Sequence, residues 1–294
     1  MPRAIEESVV VITGASSGIG HACVVRLVRE GFFVFASVRK ELDAERLRRD
    51  GGDRVMPIAL DVTDDASIAA AARDVRARLD GRGLDALVNN AGIGIAGPVE
   101  YLRADVLRHQ FDVNVFGQVA VTQAFLPLIR AARGRIINMG SVGSHLAIPF
   151  GGVLCATKSA FRSLNDALRL ELHPFGIDVV MIEPGGIRTP AVDKTLGDPD
   201  AAVAALPLEG VARYGAILRD FMRRAYAREE RGSSPDVVAD AVYRAITARR
   251  PRARYPVGKD ARLLVTMPRL LPDGILDRLR FRLFGIPGEK QEAS

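Results

Sequence analysis

The sequence predicts an α/β fold: one doubly wound parallel sheet with helices on both faces and a C-terminal helical lid and tail. Three observations carry this. Short β-rich runs alternate with longer helical patterns over the first 185 residues. The runs are continuously apolar rather than alternating, as strands covered on both faces are. A glycine-rich turn separates the first run from the first helical pattern. Strands alternating with helices in this way build βαβ units.

The predicted strands cover residues 9–13, 32–37, 55–59, 84–89, 135–139 and 177–183, with helical patterns at 21–30, 64–79 and 107–130 between them. Beyond Pro190 the pattern loosens into Ala- and Arg-rich helical stretches over 191–234. A further helix is expected to start at Pro235 with Ser234 as its N-cap. Residues 254–257 read as a last edge strand, where Pro256 is tolerated. The expected organisation is one domain over 1–260, which includes the loosened segment 191–234, and an amphipathic basic tail over 261–294. In the tail, Ile275, Leu276, Leu279 and Leu283 fall on one helical face, punctuated by Arg278, Arg280 and Arg282.

Composition bounds the function. The chain has 294 residues, 48% hydrophobic and 26% charged, an ordinary globular balance. No apolar run approaches the ~18–20 residues that cross a bilayer. MPRAIEES at the N-terminus has no apolar h-region, so no secretory signal is expected. Two cysteines, Cys23 and Cys155, make no disulfide framework, and a cytoplasmic setting is the expectation. The net charge of +6 is uneven: residues 212–294 carry 18 basic and 10 acidic groups, a balance of +8, and the remainder sums to −2. No motif or aromatic–basic interleaving accompanies that charge, so no nucleic-acid partner is expected. The histidines His21, His109 and His173 have no ligand-type company, and no metal is expected.

The turn after the first strand reads Thr13-Gly14-Ala15-Ser16-Ser17-Gly18-Ile19-Gly20. Glycines there permit a tight turn and close approach of backbone to a pyrophosphate, and the following helix presents free N–H groups. The fold is therefore Rossmann-like, and Gly14, Ser16, Ser17, Gly18, Ile19 and Gly20 are candidate cofactor-binding residues. The second strand ends Val38-Arg39-Lys40. A free ribose 2′-OH is usually met there by an acid, whereas Arg39 suits a 2′-phosphate, which favours NADP(H) over NAD(H).

Five motifs then make the chain resemble the short-chain dehydrogenase/reductase family. They are Thr13-Gly14 to Gly20, Asn89-Asn90-Ala91-Gly92, Asn114, Ser141, and Pro184-Gly185 to Thr189. Ala36 to Arg39 and Gly140 to Gly143 look like the branch of 17β-hydroxysteroid and retinol dehydrogenases. The resemblance implies a hydrophobic ketone or alcohol as substrate, and a homodimer or homotetramer formed through the helices holding Asn114 and Lys158. It also places Asp61 and Val62 near the adenine and Asn90 near the adenosine ribose. Ile187 and Thr189 fall near the nicotinamide carboxamide, Pro184 and Gly185 are further cofactor-binding candidates, and Asn114, Ser141 and Lys158 form the catalytic group, with Lys158 also binding the nicotinamide ribose.

One position departs. The family's catalytic tyrosine follows the serine by thirteen residues and precedes the lysine by four, which is position 154, and this chain has Leu154. Leucine cannot donate a proton, and general acid–base catalysis is worth roughly 10²–10⁴-fold, about 3–5.5 kcal/mol of barrier. His145, four residues after Ser141, is the speculative replacement; it could serve as acid, bind substrate or cap its own loop. Lys158 acting through water is a further option, and Cys155 is assigned to packing. Two classes of function follow. One is an NADP(H)-dependent oxidoreductase with an altered acid, acting on a hydrophobic ketone, alcohol or activated alkene. The other is a non-redox enzyme (cyclase, isomerase or lyase) or a catalytically silent nucleotide-binding protein. The basic tail could cover the pocket, meet a second subunit or lie on an anionic membrane. The resemblance also makes 191–234 a substrate lid, in which Leu206, Leu208, Ile217, Leu218, Phe221 and Met222 are expected to wall the pocket.

Overall fold

The structure, a computed structural model, describes residues 8–286. The N-terminal residues 1–7, read above as lacking an h-region, and the end of the tail, 287–294, lie outside them. The elements run β1 Val9–Ile12, α1 Gly18–Arg29, β2 Phe33–Val38, α2 Glu41–Gly51, β3 Val55–Ala59, α3 Asp65–Leu79, β4 Ala86–Asn89 and α4 Ala104–Phe111. They continue with α5 Gly117–Ala132, β5 Arg135–Met139, α6 Gly152–Leu172, β6 Asp178–Pro184, α7 Pro190–Leu196, α8 Pro199–Ala204 and α9 Leu208–Glu230. The chain closes with α10 Asp236–Thr247, β7 Arg254–Val257, α11 Ala261–Leu270 and α12 Asp273–Phe284.

All seven strands pair in parallel, in the order β3-β2-β1-β4-β5-β6-β7. The strand order reverses between β1 and β4, and in such sheets ligands bind in the crevice at the strands' carboxyl ends at that point. Side chains alternate faces along each strand. Val10, Ile12, Val34 and Ala36 therefore face a core shared with α1 and α10. Val11, Phe35, Leu87 and Ile136 face the opposite core, shared with α3 and α5. Both faces are dry, which is why the strands read as unbroken apolar runs.

Helix α2 is absent from the predicted elements. Its sequence ELDAERLRRDG is mostly charged, and only Ala44 and Leu47 are buried. The predicted helix at 107–130 is longer, running Ala104–Ala132 with a π-helical segment at Asp112–Phe116. That helix is long and apolar enough to cross a membrane, yet it holds Val121, Phe125 and Ile129 in the core. Helix α10 starts one residue later than expected. Ser234 still stops its first turn, its hydroxyl accepting the Asp236 N–H at 3.3 Å and its carbonyl the Val237 N–H at 3.2 Å.

The lid expectation needs one correction. Leu218, Phe221 and Met222 are buried in a third core with Val203 and Phe284, but Leu208 begins α9 and is 91% exposed. Its side chain leaves the first turn on the far side from Gly210, which is buried against Tyr101. In the tail, Leu276 and Phe284 turn inward, and Phe284 meets the Phe221 ring at 5.7 Å between centroids. Ile275, Leu279 and Leu283 of the expected common face point outward instead.

Candidate active site

The glycine turn leaves β1 through the buried Thr13. Its hydroxyl oxygen accepts the N–H groups of Asn90 and Ala91, at 2.9 and 3.0 Å. Asn90 Nδ2 donates back to the carbonyls of Thr13 and Gly14. Two strand ends are thus tied into one platform. Gly14 has φ +62° and Gly20 packs on it: a Cβ at 20 would stand 2.2 Å from the Gly14 oxygen. Ser17 precedes α1 in extended conformation with its side chain making no cap bond. The first-turn N–H groups therefore remain available to an anion. Gly18 faces the Thr189 side chain, with 3.2 Å between its would-be Cβ and Thr189 Cβ, so the loop after β6 closes on the glycine turn. A cradle that side chains would fill, beside an uncapped helix start, fits a dinucleotide.

Sequence reasoning missed two supports of this turn. Ser37, buried at the end of β2, accepts the Gly14 N–H on its hydroxyl at 3.0 Å, and its carbonyl takes the Ala15 N–H. From α2, Arg46 donates to the Ser16 carbonyl and to Asp43. Neither carries a local motif; both require the register of β1 on β2.

Arg39 follows β2 with its side chain 74% exposed and 3.8 Å from Asp61 Oδ2. The Thr63 N–H and hydroxyl, at 2.9 and 2.8 Å, hold the Asp61 carboxyl below its ordinary value, with burial opposing and Arg39 adding a smaller pull. Val62 is buried next to Asp61, its carbonyl 2.3 Å from where a Gly117 side chain would begin. Pro184 ends β6; Gly185 bonds the Val257 carbonyl, and the Ile187 N–H bonds Glu229 Oε2 at 3.2 Å. Burial raises the Glu229 carboxyl above its usual range.

Asn114 sits in the π-helical segment, where the extra residue per turn opens space for its side chain. Its Oδ1 accepts the Ile93 N–H at 2.8 Å, and Nδ2 donates to the Ile93 carbonyl and to Thr157 Oγ1. The Thr157 hydroxyl donates to the Leu154 carbonyl at 2.8 Å. Lys158 Nζ donates to the Met139 carbonyl at 2.8 Å. Burial lowers its ammonium from 10.5 to about 8. Nζ and Asn114 Oδ1 both border the open side of Gly92, 3.8 and 3.3 Å from a would-be Cβ. Ser141 accepts the Gly143 N–H on its hydroxyl at 3.0 Å. Asn114, Lys158 and Leu154 are thereby brought around one strand-end crevice. Leu154 Cδ2 and Thr195 Oγ1 converge over Gly94, 3.5 and 3.0 Å from where its Cβ would lie. Thr195, on α7 of the lid, is the third contributor the sequence did not announce; its hydroxyl bonds the Ala191 and Gly94 carbonyls.

His145 is turned away from Leu154. Its Nε2 lies 2.6 Å from Glu183 Oε1, and the two side chains are 4% and 0% exposed. Glu183 Oε2 has no partner among the described residues. Beside this pair a cleft of about 300 Å³ is lined by Cys155, Ser159 and Arg280 of α12. Cys155 is buried and burial raises its thiol, in keeping with a packing role.

A doubly wound sheet with this glycine turn and this Asn–Ser–Lys set defines the class of nicotinamide-nucleotide oxidoreductases. The comparisons agree. The short chain dehydrogenase profile matches residues 8–199. Human retinol dehydrogenase 5 is 39% identical over 91% of this chain and 86% of its own. An NADPH-dependent 3-dehydrocapnine reductase from Ornithobacterium rhinotracheale is 32% identical over 92% of this chain and 95% of its own. The crystal structure of a short-chain dehydrogenase from Streptomyces avermitilis superposes with TM-score 0.73, at 30% identity, covering 94% of both chains. The chain belongs to the short-chain dehydrogenase family, in its retinol dehydrogenase-like branch.

Proposed function

We propose that this protein is an NADP(H)-dependent oxidoreductase of a hydrophobic ketone, alcohol or activated alkene, in which position 154 supplies no proton. Lys158 carries the reading: its buried ammonium is held by the Met139 carbonyl, one helical turn from Leu154 and beside Asn114 at Gly92. The residues that hold a nicotinamide nucleotide are kept, while the acid's place holds methyl groups. When bound, the nucleotide supplies or takes a hydride. Arg39 would hold the 2′-phosphate, and the glycine turn with the start of α1 would hold the pyrophosphate. Ser141, whose oxygen accepts the Gly143 N–H, would donate its O–H to the substrate oxygen. Asn114 braces α6 through Thr157 and so fixes Lys158. Leu154 gives the crevice an apolar wall over Gly94, which suits a lipophilic substrate. The names of the reductase and retinol dehydrogenase relatives support both the cofactor and the substrate class.

The proton comes from water reached through Lys158, whose lowered value leaves it able to exchange near neutral pH. An activated alkene makes the least demand on such a site, because an enolate takes its proton from solvent. His145 supplies none in this arrangement: its Nε2 is bound to a buried carboxylate.

The test is stopped-flow absorbance of NADPH with lipophilic ketones and enones, beside the Leu154→Tyr variant. Enone turnover by the wild type, and ketone reduction raised roughly 10²–10⁴-fold by Leu154→Tyr, is the expected result. Inertness of both proteins toward every ketone and enone, with NADPH bound, refutes the redox reading and leaves the non-redox alternative. The absence of any thermal shift with NADPH refutes the nucleotide site itself.

A further inference from the structure

We propose that Glu229, near the C-terminal end of α9, is a latch on the nicotinamide end of the nucleotide site. Its carboxylate holds the Ile187 N–H that a carboxamide oxygen would take, so the nucleotide must displace it to bind in full. This deepens the nucleotide reading above and rests on it, since it takes Ile187 as the neighbour of the carboxamide. The loop after β6 is fixed on both sides of Ile187. Gly185 donates to the Val257 carbonyl, the Gly186 carbonyl accepts the Ser233 N–H at 3.0 Å, and the Arg188 N–H donates to the Ser233 carbonyl at 3.0 Å. Ile187 pairs with Ser233 in parallel, so residues 186 and 188 face Ser233 and the Ile187 N–H points the other way. There Glu229 Oε2 accepts it at 3.2 Å, and Oε1 lies 3.6 Å from where a Gly186 side chain would begin. Two residues on, Thr189 closes over Gly18 of the glycine turn, so this loop borders the nucleotide crevice.

The bond has the character of one made to be exchanged. Glu229 is half-buried, yet no cation pairs with it among the described residues: the adjacent Arg228 is turned to Asp260 at 3.3 Å. Burial raises its carboxyl, so the Ile187 N–H holds a charged group that water would solvate better. Once displaced, the carboxylate regains that hydration, and the loop keeps its shape through Val257 and Ser233. A carboxamide oxygen and a carboxylate oxygen are alternative acceptors for the same N–H. Fastening α9 needs no carboxylate here. The helix is already held by Leu218, Phe221 and Met222 in the third core, and by the Tyr226 hydroxyl donating to Asp193 at 2.8 Å. A latched site binds with an apparent affinity lowered by the fraction of molecules in which the latch is open.

The experiment is calorimetric titration of the full chain with NADPH and with ADP-ribose 2′-phosphate, the same nucleotide without its nicotinamide ring. Glu229→Ala and Glu229→Asp, the latter one methylene short of Ile187, should each bind NADPH about tenfold tighter than the wild type. Their affinity for ADP-ribose 2′-phosphate should equal that of the wild type. Glu229→Gln still offers an oxygen to the N–H, but without charge, and should fall between. Glu229→Asp keeps a carboxylate at the end of α9, so the comparison stands even if Glu229→Ala fails to fold. A wild type that binds both ligands, with NADPH held no more tightly by Glu229→Asp, overturns the latch and leaves the nucleotide reading intact. Equal tightening toward both ligands also overturns it, because the effect would then not lie at the nicotinamide end. A wild type that binds neither ligand overturns the nucleotide reading and the latch with it.

Discussion

Lys158 makes stability depend on pH in a way few lysines do. In the unfolded chain its ammonium titrates near 10.5; in the folded chain burial moves it to about 8. Below pH 8 both states hold the proton, and the cost of burying the charge is fully present, about 3 kcal/mol for a shift of this size. Between the two values the unfolded chain binds more protons than the folded one, so stability rises with pH. Above 10.5 both states are neutral and the cost is gone. Lys158→Met keeps the stem and removes the titration. The nucleotide-free proteins are compared by urea unfolding at pH 7 and pH 10, so that other titrating groups cancel in the difference. The stability of wild type relative to Lys158→Met should climb by about 2.5 kcal/mol across that interval. Parallel profiles would refute the argument: they would mean that Nζ is as well solvated as in the unfolded chain and that its ammonium keeps its ordinary value.

Other outcomes follow from single contacts. Gly20→Ala puts a methyl group against the Gly14 carbonyl and should abolish the NADPH thermal shift. Ser37→Ala leaves the Gly14 N–H without its acceptor; unfolding should show a loss of about 1–3 kcal/mol, with weaker NADPH binding. Arg39→Asp should reverse the preference from NADPH to NADH in fluorescence titrations, and an unchanged preference would dismiss Arg39 as the 2′-phosphate partner. His145→Ala strands Glu183 in the core and should cost about 3–5 kcal/mol by denaturant unfolding. NADPH affinity should hold, and a variant that lost turnover at unchanged stability would restore histidine as the acid.

The legible parts of this molecule are those written in local pattern. A buried parallel strand must be apolar throughout, so β1 to β6 could be placed within a few residues, and the edge position of β7 follows from Pro256. The glycine turn and the Asn114, Ser141 and Lys158 positions were legible because their chemistry needs fixed residue types at fixed spacing. What escaped depends on register. Ser37 serves Gly14 only because β2 lies beside β1. His145 meets Glu183, 38 residues away, only because the loop after β5 folds over the end of β6. Helix α2 escaped because its apolar side is two residues wide. Leu208 misled for the opposite reason: it is apolar, but the first turn of α9 packs through Gly210 on Tyr101 and leaves Leu208 on the solvent side.

The surroundings of Leu154 assemble without its side chain: the chain of Asn114, Thr157 and the Leu154 carbonyl is intact, and Lys158 holds the Met139 carbonyl. Those bonds use the backbone of residue 154, not its side chain, so helix α6 keeps its place whatever stands there. The side chain is then free to be selected for the pocket, where it meets Thr195 of the lid over Gly94. A leucine in that place closes the crevice with apolar surface and leaves proton delivery to solvent. On the proposed reading such a site would keep hydride chemistry for substrates whose product can find its own proton, and lose it for those that need one handed over.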